Sequence, residues 1–298
     1  MKVNGSDTDH QLEQHLDEVR NLMASCLAET PLHSVLADCK NLFGTGKMLR
    51  SRLTLRIGPA AGVASSTMLR AAGAIELIHA ASLLHDDVID GGFLRRGAPA
   101  FWVERGIPAA ILLGDLLLFK ALELVAPIES GRMLPVIIQL TGEVCEAESE
   151  QELVTRGTLA DWDACVRVAR RKTGGLFAFA AYACGGDDLA LRTALQEAGY
   201  LVGTAYQLAD DILDANGNAE SAGKTLGRDE ARNKTTAVRV KLPENVDPVQ
   251  TINDLLASAR AGLDPWPAIR DSWDVYMARD MRPAIEISRA PLSPKSKV

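Results

Sequence analysis

The sequence has few of the features that mark secreted, membrane-spanning or nucleic-acid-binding proteins. Its formal net charge of -7 argues against a surface for polyanions such as nucleic acids. None of the five cysteines stands in a C-x-x-C pair and their number is odd, which favours free thiols in a reducing cytoplasm. The first residues have no apolar signal-peptide core, and charges interrupt the greasiest stretch, "IPAAILLGDLLLFKALELV". We therefore expect a cytoplasmic protein with no membrane span and no nucleic-acid partner.

Alternating strand patterns are also scarce, and "TTAVRVKL" is the one weak exception. Apolar residues instead recur at helical spacing, beginning with the segment from Leu12 to Leu27. No linker-like change in composition divides the chain. The sequence thus predicts one all-α domain over residues 1–298, a bundle of many long helices with a frayed tail at about 290–298. The main helices are expected at 64–90, 108–126, 132–155, 160–183 and 188–215.

Two acidic motifs, "HDDVID" and "ADDILD", each end an apolar segment. The first and last carboxylates of each motif are four residues apart, so they share a helix face while the middle one turns aside. Like charges at this spacing are costly near an apolar interior, so a cation is expected between the motifs. Mg²⁺ is the natural candidate because it prefers oxygen ligands. A solvated acidic patch is the alternative. The six carboxylates are Asp86, Asp87, Asp90, Asp210, Asp211 and Asp214.

Several basic clusters accompany the carboxylates: "GTGKMLRSR", "RRG", "RRKTGG" and "GKTLGRDEARNK". Arginine and lysine suit phosphate oxygens, and glycine lets a backbone approach a ligand closely. Each cluster alone is also typical of a solvated face, and "GTGK" lacks the spacing of a nucleotide-binding P-loop. His79 lies two turns before Asp86 and is either a core histidine or part of the same site. Taken together, the residues predict a pocket for a diphosphate with a hydrocarbon tail.

At this point the chain resembles the trans-isoprenyl diphosphate synthase (polyprenyl synthetase) family. The resemblance runs from about residue 44 to 236 and rests on "GKMLR", "IELIHAASLLHDDVID", "RRGAP", "GD" at 114–115, "KTG", "YQLADDILD" and "GKTLGRD". It implies the all-α isoprenoid synthase fold around a deep central cavity, a homodimer and three Mg²⁺ ions per active site. It also implies head-to-tail condensation of isopentenyl diphosphate with an allylic diphosphate.

The resemblance assigns a role to each matching residue. It implies that Asp86, Asp90 and Asp210 ligate magnesium and act in catalysis with Lys172, while Asp87, Asp211 and Asp214 ligate or support the ions. Arg95, Lys172, Thr173, Gln207 and Lys224 resemble the residues that hold the allylic diphosphate. Lys47, Arg50, His79 and Arg96 resemble those that hold isopentenyl diphosphate. Lys234 resembles a further basic residue over the active site.

The chain departs from the family pattern in a few places. Ser51 stands where the family often has proline, and Gly174-Gly175 would allow a kink after "KT". Ala81 and Ser82, just before the first aspartate, are small where synthases of short products often have an aromatic residue. This predicts a product of C20 or longer, which could be handed to a membrane. One alternative is that the small pair only permits close helix packing. Another is that bulky residues elsewhere close the tunnel lower down, such as Phe119, Phe177, Phe179 or Tyr182.

Other functions remain open at this level. A class I terpene cyclase shares the ionisation chemistry, but usually carries a different second metal motif with serine or threonine and glutamate, where this chain has "DDILD". A head-to-head condensing enzyme is disfavoured on the same grounds. A silent regulatory subunit tends to lose its acidic motifs, and both are intact here. A binding-only helical bundle would differ in having no turnover.

Overall fold

Helices form nearly all of the structure, a computed structural model. It describes residues 5–28, 30–32, 46–155, 161–215 and 246–288, without the side chains of residues 5–8, 130, 213–215 and 286–288. The helices are α1 (Gly5–Ala28), α2 (Leu49–Ile57), α3 (Ser65–Ile89), α4 (Phe101–Arg105), α5 (Ile107–Val125), α6 (Met133–Leu153), α7 (Trp162–Ala169), α8 (Gly175–Tyr182), α9 (Leu189–Ala215), α10 (Pro248–Ala261), α11 (Pro267–Tyr276) and α12 (Arg282–Ser288).

Short elements connect some of these helices. A hairpin of two-residue strands, β1 (Leu94–Arg95) and β2 (Ala98–Pro99), follows α3. Turns of 3₁₀ helix cover Gly58–Ala61 and Ile128–Gly131, and π-helical turns cover Arg170–Gly174 and Met277–Met281. The predicted all-α fold is confirmed, and the five predicted helices are found within a few residues of their expected ends. The "TTAVRVKL" segment and the tail lie outside the described residues.

The core forms where apolar helix faces meet. α3 packs along α5, and α9 packs against α8 and α10. A continuous apolar cluster runs through the helices, and its largest fully buried side chains include Phe177, Phe179, Trp273 and Tyr276. Burial of this kind is the main source of stability in a helical bundle, because isolated helices are marginal in water.

The strongly apolar segment that forms α5 has one buried face and one exposed face in the structure. Leu113 and Leu117 are buried on one face, whereas Leu112 and Phe119 are exposed on the other. Of the helices in the described part of the chain, α3 alone is long and apolar enough to cross a membrane by length and composition, and 67% of its most apolar window is buried inside the protein.

α9 lies unusually close to its neighbours at two glycines. A Cβ added to Gly199 would lie 2.6 Å from the Cα of Ala178 in α8, and one added to Gly203 would lie 2.7 Å from the Cα of Gly174. Real Cβ atoms do not approach backbone this closely, so each glycine lets two backbones touch. The π-helical turn is therefore packed directly against α9.

We predict that Gly199→Ala lowers the free energy of unfolding by about 1–3 kcal/mol, because overpacking forces α8 and α9 apart. Gly142→Ala is the matched control, since Gly142 lies inside α6 and an added Cβ would meet nothing within 4 Å. This control is expected to stabilise the protein by about 0.5–1 kcal/mol through its helix propensity. Denaturant unfolding measures both, and equal effects of the two variants would contradict the close contact.

Candidate active site

The first acidic motif lies at the C-terminal end of α3, which a glycine cap closes. Gly91 adopts a left-handed φ of 60°. Its N–H donates to the carbonyl of Val88 at 3.1 Å, and the N–H of Gly92 donates to that of Asp87 at 2.7 Å. These two bonds make a Schellman motif. They confirm that the paired glycines stop the helix, and they place Asp90 at its cap.

The hairpin after α3 folds its arginines back over the motif. Its turn residues, Arg96 and Gly97, have φ of 54° and 78°, as a type I′ turn requires. Arg95 lies opposite Ala98 in the hairpin. Its Nη2 is 2.6 Å from one carboxylate oxygen of Asp87 and its Nε is 3.1 Å from the other. Asp87 is thus turned into an ion pair with Arg95.

Arg96 lies against the loop that precedes α2. A Cβ built on Gly46 would come within 2.7 Å of the Nη2 atom of Arg96, so a residue larger than glycine would displace the guanidinium. Lys47 follows this glycine directly and is exposed. Two basic motifs that are far apart in the sequence, "GKMLR" and "RRG", therefore meet in the fold.

Arg50, in the first turn of α2, is a half-buried cation whose Nε atom is buried. Its Cζ lies 4.8 Å from the ring centroid of Phe177, a cation–π distance. Its Nε is buried and has no hydrogen-bond partner among the described residues. Burial lowers the pKa of the guanidinium, because the charged form loses water, although arginine stays protonated in proteins. A half-buried cation with an open donor favours an incoming anion such as a diphosphate.

His79 on α3 lies within the field of the same arginines. Its pKa is held well below the ordinary value, mainly by burial and further by Arg50, Arg96 and Arg95. The imidazole is consequently neutral at pH 7. The structure thus brings three of the residues assigned to isopentenyl diphosphate into one cluster, with Lys47 next to it in sequence.

The second group of predicted residues forms a hydrogen-bonded relay. Thr173 Oγ1 donates to Gln207 Oε1 at 2.5 Å, and Gln207 Nε2 donates to Asp211 at 2.8 Å. Lys172 Nζ lies 2.6 Å from a carboxylate oxygen of Glu148 on α6. Since Lys172 and Thr173 lie in the π-helical turn, that turn joins the "KTG" motif to the second acidic motif. Such turns often occur at functional sites.

Phe177 connects the two groups. Its ring centroid lies 6.1 Å from that of Tyr206, one helical turn before Asp210 on α9, and the other contact of the ring is with Arg50. Tyr206 is also close enough to Arg50 that a negative charge on its phenol would raise the pKa of the guanidinium. The basic cluster of α2, α3 and the hairpin is therefore adjacent to the helix of the second acidic motif.

The carboxylates fit a magnesium site that substrate completes. Among the described residues, no three His, Cys, Asp or Glu side chains are grouped so as to hold a metal by themselves. Asp86 is half-buried, and no described side chain is bonded to it. Its all-oxygen motif suits Mg²⁺, which takes one or two carboxylates and fills its shell with water and phosphate. Whether Asp86 and Asp210 share an ion stays a prediction.

The structure brings some of the predicted residues together and adds others that the sequence did not single out. Lys224, Lys234 and the side chain of Asp214 lie outside the described residues. Arg170 and Arg171, beside Lys172 in the sequence, form surface ion pairs with glutamates instead. The buried Glu76 and the partner of Lys172, Glu148, were not selected. Glu76 could have been found as a charge within an apolar helix, three residues before His79.

Four of the five cysteines lie in the described part of the chain, and all four are free thiols. Cys165 and Cys184 are buried, Cys26 is half-buried and Cys145 is exposed. Burial, helped by the charge of Asp211, raises the pKa of Cys165 to about 12. Such a thiol is not a nucleophile at neutral pH, in agreement with a site that uses no cysteine.

We predict that His79→Gln makes stability less dependent on pH below about 6.5, the ordinary pKa of histidine. The folded-state pKa is depressed, so the unfolded chain binds more protons below that pH and wild-type stability falls as pH falls through it. Glutamine is neutral and has no such linkage. Thermal unfolding between about pH 7 and 5 measures the difference, with exposed His10 as the matched site (His10→Gln). Parallel curves for wild type and His79→Gln would contradict a neutral, buried imidazole.

Comparisons with known proteins agree with this geometry. The family model for polyprenyl synthetase matches residues 34–264. The chain is 34% identical over 220 residues to an octaprenyl diphosphate synthase of Haemophilus influenzae, covering 73% of this chain and 67% of the relative. It is 32% identical over 246 residues to a farnesyl diphosphate synthase of Geobacillus stearothermophilus, covering 76% and 82%. The first of these alignments therefore spans about two thirds of the relative.

A solved structure extends the similarity to nearly the whole fold. A polyprenyl synthase from Caulobacter crescentus, complexed with calcium and isoprenyl diphosphate, superposes with a TM-score of 0.71 at 27% identity. The superposition covers 96% of this chain and 97% of that one. Both α2 and α9, which carry the two groups of site residues, fall within the family match.

Proposed function

Because the chain belongs to the polyprenyl synthetase family, a family of trans-prenyltransferases, we propose that it condenses isopentenyl diphosphate head-to-tail with an allylic diphosphate. The product is a longer trans-polyprenyl diphosphate. The observation that carries the proposal is the contact of Phe177 with both Arg50 and Tyr206, because it sets a cluster of cations beside the helix of the second acidic motif.

The basic cluster of α2, α3 and the hairpin binds isopentenyl diphosphate. Arg50 and Arg96 donate to phosphate oxygens, Lys47 adds a point charge from the exposed loop, and neutral His79 donates a hydrogen bond. The partnerless Nε of Arg50 supports this assignment, since the anion satisfies a donor that is otherwise buried unpaired.

The relay around the π-helical turn binds the allylic diphosphate. By their resemblance to the family's residues, Lys172, Thr173, Gln207, Arg95 and Lys224 would hold its phosphate oxygens. In the resting protein Lys172 and Arg95 rest on carboxylates. These ion pairs orient both cations before substrate binds, and phosphate oxygens would then take the place of the carboxylates.

Magnesium belongs to this proposal as well. Asp86, Asp90 and Asp210 would hold the ions, up to three per site, and Asp87, Asp211 and Asp214 would ligate or orient them. When bound, Mg²⁺ supplies positive charge to the diphosphate as it leaves. The calcium and isoprenyl diphosphate of the Caulobacter relative support divalent-metal use.

The chain's own residues then perform the remaining steps. Lys172, with Arg95, stabilises the negative charge that develops on the departing diphosphate. Arg50 and Arg96 hold isopentenyl diphosphate so that its double bond faces the allylic carbon. The apolar interior around Phe177 excludes water that would quench the allylic cation. The proton that is lost afterwards passes to the departed diphosphate, which is the nearest base.

We propose a product of C20 or longer. Ala81 is fully buried on α3 and Ser82 donates its hydroxyl to its own helix at His79, so neither presents a bulky group. Among the relatives named above, one is an octaprenyl and the other a farnesyl synthase, so the reaction class alone leaves length open. Sizing of products made from C5, C10, C15 and C20 starters tests this proposal, and products that stop at C15 would contradict it.

The active form is proposed to be a cytoplasmic homodimer. The exposed apolar face of α5, with Ile111, Leu112 and Phe119, supports a subunit interface. The free thiols of the described cysteines support a reducing compartment. Sedimentation of the purified protein distinguishes a dimer from a monomer.

We predict that Asp86→Asn lowers kcat by a factor of about 10²–10³ or more, because a ligand to the ion that stabilises the leaving group is lost. The melting temperature is expected to change little, since no described side chain bonds to Asp86. Asp254→Asn, at an exposed position on α10, is the matched control and should retain full turnover. Assays contain Mg²⁺ and both diphosphates. Turnover that survives in Asp86→Asn would argue against the proposed metal site, and products formed without isopentenyl diphosphate would indicate a cyclase.

We predict that Arg96→Ala raises the KM for isopentenyl diphosphate about tenfold or more and leaves the KM for the allylic substrate within about twofold. A hydrogen bond to a charged group is worth about 1.5–3 kcal/mol, which corresponds to that factor. Arg132→Ala, which removes a largely exposed arginine that pairs with Asp187, is the control. A variant that loses allylic binding alone would show that the roles of Arg95 and Arg96 are exchanged.

A further inference from the structure

Ser51 holds a buried carboxylate that lies among the site arginines. The Glu76 side chain on α3 is almost fully buried, in a residue 8% exposed, and Ser51 on α2 is 0% exposed. Glu76 Oε1 accepts from the Ser51 hydroxyl at 2.9 Å and from the Ser51 N–H at 3.3 Å. Proline at this position, as the family pattern has it, could provide neither donor.

The carboxylate also completes the start of α2. Met48, the residue before the helix, adopts a left-handed φ of 48° and provides no side-chain cap. The first N–H groups of a helix need acceptors, and a negative charge is favourable at this end. Glu76 supplies both from a neighbouring helix, through the N–H of Ser51. Arg50 lies in this first turn, directly before Ser51, and Lys47 lies just ahead of the turn in the sequence.

Glu76 is close enough to act on the arginines that bind the diphosphate. Burial lowers the pKa of both Arg50 and Arg96, and the charge of Glu76 raises each of them in part. Yet the carboxylate accepts its two hydrogen bonds from Ser51. Arg50 keeps a buried Nε with no partner among the described residues. A free carboxylate in this position would be a strong competitor for the same guanidinium, because such pairs are bidentate and charge-assisted.

We propose that Ser51 is a positioning residue which restrains the Glu76 carboxylate at the start of α2, and so keeps Arg50 open for a diphosphate. The inference rests on the proposed function, in which Arg50 binds isopentenyl diphosphate. Ser51 itself touches no substrate. Its hydroxyl and N–H hold one oxygen of the buried carboxylate, so that the charge of Glu76 offsets that of the arginines without a direct ion pair to Arg50.

The test is a double-mutant cycle on the pair. Ser51→Ala removes the hydroxyl and lets the carboxylate turn to Arg50, so the KM for isopentenyl diphosphate should rise roughly tenfold with the allylic KM unchanged. Glu76→Gln in the Ser51→Ala background removes the competing charge, so the KM should return to within about threefold of wild type. If the pair only held the helices together, the double variant would bind as weakly as Ser51→Ala or more weakly, and the proposal would be overturned.

A matched control separates restraint from stability. Thr54→Val removes a second buried hydroxyl from α2, one that donates to the backbone carbonyls of Arg50 and Ala180, each at 3.2 Å, and not to Glu76. It should lower the melting temperature about as much as Ser51→Ala, while leaving the KM for isopentenyl diphosphate unchanged. An equal rise in KM for Thr54→Val would mean that any loosening of α2 weakens binding, which also overturns the proposal.

Equilibrium binding distinguishes this inference from the function it rests on. Titration calorimetry of inorganic pyrophosphate, without metal or allylic substrate, reports the Kd of the cationic cluster whether or not the protein turns over. Wild-type protein that binds pyrophosphate but makes no product would sink the proposed reaction, and the order of Kd values across the cycle would still decide the role of Ser51. Wild-type protein that binds neither pyrophosphate nor isopentenyl diphosphate would overturn both.

Discussion

Charge held inside an apolar helical bundle is the constraint on which the rest of this structure depends. Arg50 shows it most clearly, since its guanidinium lies against the ring of Phe177 with a buried, partnerless Nε. A buried donor of a charged group without a partner is costly, and an anionic ligand would offset that cost. Part of the binding free energy of a diphosphate would therefore come from satisfying this donor.

The other site cations meet the same constraint in a different way. Arg95 and Lys172 rest directly on Asp87 and Glu148, whereas Arg50 only feels the field of Glu76, which Ser51 holds. When substrate binds, a cation that already pairs with a carboxylate exchanges that carboxylate for a phosphate. The net gain in binding free energy is therefore small, and the main effect of the cation is to orient the substrate. A cation without a direct partner gains more from the ligand. Arg95 and Lys172 thus contribute mainly to the orientation of the substrate, and Arg50 contributes mainly to its affinity.

Much of this could be predicted from the sequence, because its helices are long and strongly periodic. α3 ends where Gly91 and Gly92 predict, since the Schellman cap depends on local residues alone. The clustering of Arg96 with Gly46 required tertiary structure, although both motifs were recognisable. Glu148 could not be singled out from the acidic run around it, because the sequence does not say which glutamate faces Lys172. Likewise "RRK" does not reveal that its two arginines pair with exposed glutamates and its lysine with the half-buried Glu148.

The π-helical turn explains that last distinction. Hydrophobic periodicity continues through Arg170–Gly174 and the paired glycines only allow a kink, so the sequence does not predict the wider turn, which rotates the side chains that follow the arginines. Thr173 and Gln207 form their hydrogen bond beside the point where Gly203 and Gly174 allow the backbones of the turn and of α9 to touch. Backbone packing at two glycines therefore places Thr173 within hydrogen-bonding distance of Gln207. Gln207 in turn donates to Asp211, so core packing helps to position a carboxylate of the second acidic motif.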